Sequence, residues 1–180
     1  MRIVAGELGG RRLRAPRGDA VRPTTDRVRE ALFSILGPIE DLAVLDLYCG
    51  SGALGLEALS RGAAEVTMVD VDVEPARVNA GALGVADRVE LVTADARAFL
   101  RRDRGAYDLV FLDPPYRLAR RVGPDLSKLL VPRLRGGARV ITESAAERPI
   151  ELDEAALPRR DERRYGATLL RIHEPAEAPS

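Results

Sequence analysis

Residues 42–55 read Leu-Ala-Val-Leu-Asp-Leu-Tyr-Cys-Gly-Ser-Gly-Ala-Leu-Gly, an apolar run that ends in a glycine-rich turn. The run is typical of a buried parallel strand. The spacing Gly50-x-Gly52-x-x-Gly55 is typical of the turn that joins such a strand to a helix in nucleotide-binding folds. Asp70 follows at the end of the next predicted strand, where a carboxylate can accept hydrogen bonds from ribose hydroxyls. Together these features predict a site for a ligand that carries a ribose.

Strands alternate with helices along the chain from residue 41 onward. Apolar runs predict strands at residues 42–47, 65–69, 89–92, 107–112 and 138–142, with helices near 53–60, 75–83, 95–102 and 124–134. Two final apolar segments, 159–165 and 167–172, flank Gly166 and are typical of an antiparallel pair. The alternation predicts a doubly wound, mostly parallel, Rossmann-like α/β sheet.

The first 38 residues have a different pattern and are interpreted as an N-terminal extension. Short strands at 2–6 and 11–15 around Gly9-Gly10 predict a hairpin. A helix follows, capped by Thr24 or Thr25 and ended by Gly37-Pro38. Its predicted apolar face consists of Val28, Ala31, Leu32 and Ile35. We therefore predict an extension at 1–38, the main α/β domain at 39–173 and a loose tail at 174–180.

Composition restricts the class of protein and the chemistry that it can use. The chain has 180 residues, 46% of them hydrophobic, which predicts one soluble domain. No apolar stretch reaches the ~18 residues of a membrane span, and the N-terminus has no signal-peptide pattern, so we expect a cytoplasmic location. The single cysteine, Cys49, and the single histidine, His173, cannot form a zinc cluster, so we predict no metal. We interpret Cys49 as a small turn residue and His173 as a surface residue.

The acid before the glycine turn distinguishes between two candidate cofactors, NAD and S-adenosylmethionine. Asp46 would repel a pyrophosphate but suits a ligand with a cationic amino-acid group, which favours S-adenosylmethionine. Asp95 follows the third predicted strand, where it can contact an adenine amino group or cap the next helix. The predicted cofactor-binding residues are Asp46, Gly50, Gly52, Asp70 and Asp95.

A rigid corner, Asp113-Pro114-Pro115-Tyr116, comes directly after the apolar run 107–112. Each proline fixes its φ and lacks an N–H donor, so the Asp113 carboxylate and the Pro114 carbonyl present only acceptors. Such a cluster suits a planar amino group, and the ring of Tyr116 can stack on a nucleobase. We therefore predict that Asp113, Pro114 and Tyr116 form the catalytic site.

Basic charge is concentrated at the front of a chain whose net charge is zero. Residues 1–22 contain six arginines against two acids, a net charge of +4. Arginine side chains suit phosphate groups, so the segment predicts a contact with RNA. The predicted RNA-binding residues are Arg11, Arg12, Arg14 and Arg22. The alternative interpretation is that the segment only covers the sheet or the cofactor.

With these motifs the chain resembles the RsmD family of bacterial rRNA methyltransferases over nearly its whole length. The resemblance is carried by residues 22–33, residues 50–63, the corner at 113–116, and Tyr165-Gly166. It implies a seven-stranded class I methyltransferase sheet whose last strand is antiparallel. It also implies S-adenosylmethionine-dependent methylation of the exocyclic N2 of a guanine in 16S rRNA.

The resemblance leaves other functions open. The Asp-Pro-Pro-Tyr motif is shared with adenine-N6 methyltransferases of DNA or RNA, which are the second hypothesis. A dinucleotide-binding oxidoreductase or a non-catalytic binding module is the distant third. The expected partner is 16S rRNA, either free or within the assembled small-subunit particle, with the protein acting as a monomer, without metal and away from membranes.

Overall fold

The computed structural model describes residues 1–15 and 25–176, which form five α-helices, two short 3₁₀ turns and one sheet. The helices are α1 (Asp26–Leu36), α2 (Ala53–Ser60), α3 (Glu74–Leu83), α4 (Ala96–Arg102) and α5 (Tyr116–Leu130). The strands are β1 (Ala43–Leu47), β2 (Glu65–Asp70), β3 (Glu90–Thr93), β4 (Tyr107–Leu112), β5 (Leu134–Ala145), β6 (Arg159–Tyr165) and β7 (Thr168–His173). The 3₁₀ turns are Ala86–Arg88 and Val131–Arg133.

The seven strands form a single sheet in the order β3-β2-β1-β4-β5-β7-β6. The first five strands in the chain pair in parallel, and β7 pairs antiparallel with both β5 and β6. The predicted doubly wound, mostly parallel sheet with an antiparallel last strand is therefore confirmed. The strand order reverses between β1 and β4, and ligands bind at this point in open sheets of this type.

Each face of the sheet is covered by its own group of helices. Val44 and Phe111 point to the first face, where they pack with α1, α2, α3 and the N-terminal segment. Leu45 and Val110 point to the second face and pack with residues of α4, α5 and the segment 150–157. Because successive side chains of a strand alternate between faces, any strand-end residue can be assigned to one face.

The N-terminal hairpin is anchored on α2 by a buried carboxylate. Glu57 accepts hydrogen bonds from the backbone N–H groups of Val4 (2.7 Å) and Ala5 (3.0 Å). It also pairs with the buried Arg29 of α1 at 3.5 Å. Gly6 approaches α2 so closely that a Cβ there would lie 1.7 Å from the Ser60 carbonyl oxygen. The hairpin therefore shares the core of the first face, and its boundary at residue 38 stays a prediction.

Three details of the N-terminal predictions differ from the structure. The hairpin has one isolated bridge, Arg2 to Arg12, instead of two full strands. Thr25 caps α1, as one of the two candidates, but Ile35 is exposed, and Arg29 and Phe33 occupy the buried face instead. The prediction failed at Arg29 because its charge is paired inside the protein with an acid of another helix.

Two predicted elements in the second half of the chain begin at the wrong residue. The fifth helix starts at Tyr116 and contains Pro124, which the sequence pattern had placed at its start. Strand β5 starts at Leu134 and runs through Gly136-Gly137, with a register shift opposite β4 that accommodates them. Both errors come from interpreting proline and glycine as boundaries where the structure tolerates them inside an element.

The C-terminal predictions are partly wrong. His173 is fully buried, and its Nδ1 lies 3.0 Å from the Leu157 carbonyl oxygen, so it is not a surface residue. Glu174 and Ala176 donate backbone hydrogen bonds to the carbonyls of Pro158 and Ala156, so the chain is held as far as residue 176. The rest of the predicted tail, 177–180, lies outside the described residues.

Candidate active site

Four acids lie on the first face of the sheet at the carboxyl ends of neighbouring strands. Asp46 and Asp70 alternate with Leu47 and Val69, which point to the second face. Asp113 follows the end of β4, and Glu143 lies on β5 one residue after Thr142, the register partner of Leu112. Two of the predicted cofactor acids, Asp46 and Asp70, and the predicted catalytic acid, Asp113, are therefore brought to the same edge and the same face.

The glycine turn between β1 and α2 is closed by two of these acids. Asp46 Oδ2 accepts the Gly55 N–H at 2.9 Å, and Asp70 Oδ2 accepts the Gly50 N–H at 2.9 Å. Gly55 allows α2 to approach β2, because a Cβ there would lie 2.7 Å from the sulfur of Met68. The turn is thus held in shape by the protein itself, as a preformed ligand loop requires.

The backbone is strained at the residue that follows β1 and leads into the turn. Tyr48 has a φ of +64°, a left-handed conformation that costs a non-glycine residue about 1–3 kcal/mol and is concentrated at functional sites. Burial raises the pKa of Tyr48 to about 12 and raises that of the neighbouring Cys49 thiol well above its ordinary value. Cys49 therefore stays protonated, in agreement with its interpretation as a turn residue and not a nucleophile.

Asp46 supports the turn from below. Its side chain is only 1% exposed, and burial, with a smaller contribution from Asp70, raises its pKa to about 7 against the opposing bond from Gly55. This geometry gives Asp46 a structural role in holding α2. Its predicted contact with the cofactor stays a prediction, as do those of Gly50, Gly52, Asp70 and Asp95.

The corner at Asp113 lies beside the glycine turn. Leu47 and Leu112 are register partners, so β1 and β4 end at the same level and the two loops leave adjacent strands. Asp113 is half-buried, and desolvation raises its pKa well above the ordinary value, reinforced by the charges of Glu143 and then Asp46. Pro114 is buried and Pro115 has the extended ψ of 139° that precedes α5. Tyr116 is the first residue of that helix.

Other predicted residues lie around this edge. Asp95 caps α4 by accepting hydrogen bonds from the N–H groups of Arg97 and Ala98 (3.0 and 3.1 Å) while remaining exposed. Arg12 and Arg14 have exposed side chains, whereas the Arg11 guanidinium donates to the carbonyl of Ala82 at 3.0 Å. Arg22 lies outside the described residues.

Two residues of this edge escaped the sequence analysis. Glu143 is 8% exposed beside Asp113, and no local motif marks it, because its position follows from the pairing of β5 with β4. Val71 follows Asp70 directly and is 71% exposed, which is unusual for a valine. The sequence could have indicated Val71, because it directly follows the second predicted strand and an apolar side chain there borders the same edge of the sheet.

Comparison with known proteins places this arrangement in a family. Residues 1–174 match the family model described as "Conserved hypothetical protein 95". The chain belongs to this family. It is 44% identical over 120 residues to "Ribosomal RNA small subunit methyltransferase D" of Escherichia coli strain K12, an alignment that covers 65% of this chain and 61% of that protein's length. The resemblance to the RsmD family is confirmed.

Solved structures extend the comparison to the fold. The structure named "Putative methyltransferase yhhF" from Escherichia coli superposes with a TM-score of 0.84 at 36% identity and covers 97% of both chains. An RNA methyltransferase from Salinibacter ruber, solved with S-adenosyl-L-homocysteine, has a TM-score of 0.66 at 21% identity and covers 88% of this chain and 97% of its own. The fold is thus that of class I methyltransferases. Within residues 1–15 and 25–176, no helix is long and apolar enough to cross a bilayer.

Proposed function

We propose that this chain transfers a methyl group from S-adenosylmethionine to the exocyclic N2 of a guanine in 16S rRNA. The observation that carries the proposal is the register of β1 and β4, which sets the glycine turn and the Asp113 corner side by side. A methyl donor held by the turn would therefore meet an amino group held by the corner. The rRNA methyltransferase among the relatives supports the substrate class.

The residues at the turn fit S-adenosylmethionine. The half-buried carboxylate of Asp70 would accept hydrogen bonds from ribose hydroxyls, and the exposed side chain of Val71 would offer an apolar surface for the adenine ring. Space is open at Gly50, where a Cβ would meet nothing within 4 Å. Asp95 is exposed at the end of β3, where its carboxylate can accept from the adenine amino group. When bound, the cofactor would supply an electrophilic methyl group on a positively charged sulfur.

The corner would hold the amino group in a reactive geometry. The Asp113 carboxylate and the Pro114 carbonyl accept hydrogen bonds from its two hydrogens, which favours a nitrogen whose lone pair points at the methyl group. The bound cofactor would supply the methyl group and be left as a neutral thioether, and the nitrogen that receives the group would become positively charged. Because nearby positive charge lowers a carboxyl pKa, the raised pKa of Asp113 falls as this charge develops. The ionised Asp113 would thus stabilise this charge. Because the methylated nitrogen is a much stronger acid than a carboxyl group, it would then pass its extra proton to Asp113.

The RNA side of the proposal uses Tyr116 and the basic N-terminal segment. A guanine N2 is reached only when the base is unpaired or flipped out, and Tyr116 would stack on it. Arg12 and Arg14 would contact phosphates beside the target. We propose that the protein does this as a cytoplasmic monomer.

A methylation assay tests the proposal. The protein is incubated with S-adenosylmethionine labelled in its methyl group and with either naked 16S rRNA or small-subunit particles, and the RNA is digested to nucleosides. Labelled N2-methylguanosine is expected, and the better of the two substrates identifies the natural form. N6-methyladenosine would assign the chain to the adenine-N6 class, and an unlabelled digest from both substrates would refute rRNA methylation.

A further inference from the structure

The amide of Asn79, on α3, joins the N-terminal segment, residues 1–15, to the glycine turn, residues 48–52, which we call the cofactor turn. Its Oδ1 accepts the Arg14 backbone N–H at 2.8 Å, and its Nδ2 donates to the Arg14 carbonyl at 3.1 Å. Nδ2 also donates to the carbonyl of Ser51 at 2.9 Å. Asn79 is 1% exposed. Both amide hydrogens are therefore donated, one to the carbonyl of Arg14 and one to the carbonyl of Ser51 in the turn.

This link is separate from the rest of the hairpin's anchoring. Glu57 and Ser60 hold Val4, Ala5 and Leu8 on α2, away from the turn. Ser51, in contrast, lies between the two glycines of the turn, where the closing bonds of Asp46 and Asp70 do not reach it. Within residues 1–15 and 25–176, Asn79 is the side chain that bonds to both Arg14 and Ser51.

We propose that Asn79 is a positioning residue through which docking of the N-terminal segment sets the conformation of the cofactor turn. Fixing the Arg14 backbone orients the Asn79 amide, and the amide in turn orients the Ser51 carbonyl. A buried amide that loses one partner reorients or leaves a polar group unsatisfied. Either change weakens the hydrogen bond that holds the Ser51 carbonyl in the turn. Affinity for the cofactor should therefore depend on a hairpin residue that need not touch it. This inference rests on the proposed use of S-adenosylmethionine.

Three substitutions at residues 14 and 15, where the chain leaves the hairpin, test the link. They distinguish the effect of the Arg14 backbone bonds from that of its side chain and from that of a stiffer chain. Arg14→Pro removes the N–H that Asn79 accepts, in a stretch, residues 13–15, that lies outside the helices and strands. Ala15→Pro places the same rigid ring one residue later and keeps the Arg14 N–H, so it is the matched control for stiffening. Arg14→Ala removes the exposed side chain and keeps both backbone bonds.

Two further variants test the link from its other end and the hairpin elsewhere. Asn79→Ala removes all three bonds of the amide. Ser60→Ala loosens the hairpin at Leu8 without touching the link. The five variants together therefore distinguish the link from the side chain of Arg14, from the stiffness of the segment and from general anchoring of the hairpin.

Calorimetric titration with S-adenosylhomocysteine, in the absence of RNA, provides the measurement. We expect affinity to fall about tenfold in Asn79→Ala and about threefold in Arg14→Pro, the scale of one or part of one buried hydrogen bond. Arg14→Ala, Ala15→Pro and Ser60→Ala should keep the affinity of the unmodified protein. The double variant Asn79→Ala/Arg14→Pro should lose no more than Asn79→Ala, because both changes act through one link.

The outcomes are distinct. Unchanged affinity in Arg14→Pro, or losses that multiply in the double variant, would overturn the role of Asn79. Losses in Ala15→Pro or Ser60→Ala equal to that of Arg14→Pro would assign the effect to stiffening or general loosening of the hairpin and would also overturn it. If Asn79→Ala does not fold, the comparison of Arg14→Pro with Arg14→Ala and Ala15→Pro still decides. An unmodified protein that does not bind S-adenosylhomocysteine would instead refute the proposed cofactor.

Discussion

The glycine turn and the Asp113 corner leave adjacent strands of one sheet, but the protein closes only the turn. The turn and the start of α2 donate backbone hydrogen bonds to the carboxylates of Asp70 and Asp46, and the turn accepts one from the amide of Asn79. Among the described residues, no hydrogen bond to the Asp113 carboxylate is formed, and its closest electrostatic neighbours are two other acids. The turn is thus held by the protein itself, whereas the acceptors of the corner are left for another group to satisfy. This difference supports the proposal that the first region binds the cofactor and the second carries the chemistry.

The largest expected effect concerns the acid that holds the turn. The pKa of Asp46 is about 4 in the unfolded chain, its ordinary value, and burial raises it to about 7 in the folded protein. Between these values the folded chain keeps a proton that the unfolded chain has lost, so stability falls as pH rises through this window. At roughly 1.4 kcal/mol per pKa unit, the loss reaches about 4 kcal/mol.

Urea unfolding at pH 4.5 and pH 7.5 measures this loss. Asp46→Asn keeps an acceptor for the Gly55 N–H and removes the titration, so the difference between the two pH values should shrink in that variant. An identical difference in both proteins would contradict the raised pKa of Asp46 and assign the pH dependence to other groups.

The corner is tested by its carboxylate. Asp113→Ala should lower turnover by about 100-fold or more, the scale of removing a group that stabilises the transition state. Affinity for S-adenosylhomocysteine should stay within about twofold, because the turn is closed by other residues. Steady-state kinetics and calorimetry measure the two quantities. Turnover like that of the unmodified protein would remove Asp113 from the chemistry.

Asp70 ends β2, on the other side of β1 from the corner, and its replacement should have the opposite effect. Asp70→Ala should weaken cofactor binding by about 1–3 kcal/mol, the cost of leaving polar groups without partners, and turnover at saturating cofactor should change little. Asp113→Ala and Asp70→Ala together test whether the corner carries the chemistry and the turn binds the cofactor. A loss of turnover in Asp70→Ala without a loss of affinity would contradict it.

Much of the sheet could be predicted from the sequence, because its buried strands are continuous apolar runs. Asp46, Asp70 and Asp113 could be placed at one edge, since parallel strands end at the same edge. Helix α5 was harder, because Pro124 and Gly123 signal a boundary locally, and only the packing of Val122 and Leu126 on the second face shows that the helix continues.

Residues whose role depends on distant partners could not be predicted. Arg29 and Glu57 are charged and completely buried, because each is paired with a group from another part of the chain. Asn79 is a further example, because the structure places it in contact with Arg14 and Ser51, 65 and 28 residues away. No pattern of neighbouring residues in the sequence indicates such long-range contacts.

The smallest expected effect concerns where RNA meets the protein beside these two regions. Arg12 and Arg14 have exposed side chains, whereas Arg11 is engaged with Ala82, so the first two should carry the phosphate contacts. Replacing both with alanine should reduce the slope of log affinity against log salt by about 1.4–1.8 units, at ~0.7–0.9 per phosphate contact. Filter binding of 16S rRNA at several salt concentrations measures the slope.

The control removes the same charge from the opposite face of the sheet. Arg101 and Arg102 are exposed in the last turn of α4, so replacing both with alanine should leave the salt slope unchanged if binding is local to the N-terminal segment. Arg11→Ala should change the slope less than Arg12→Ala, because its guanidinium is already bonded within the protein. Equal reductions from both double variants would indicate attraction by net charge alone. An unchanged slope in the Arg12 and Arg14 variant would limit the hairpin to holding the turn, and RNA recognition would then belong to the corner and its neighbours.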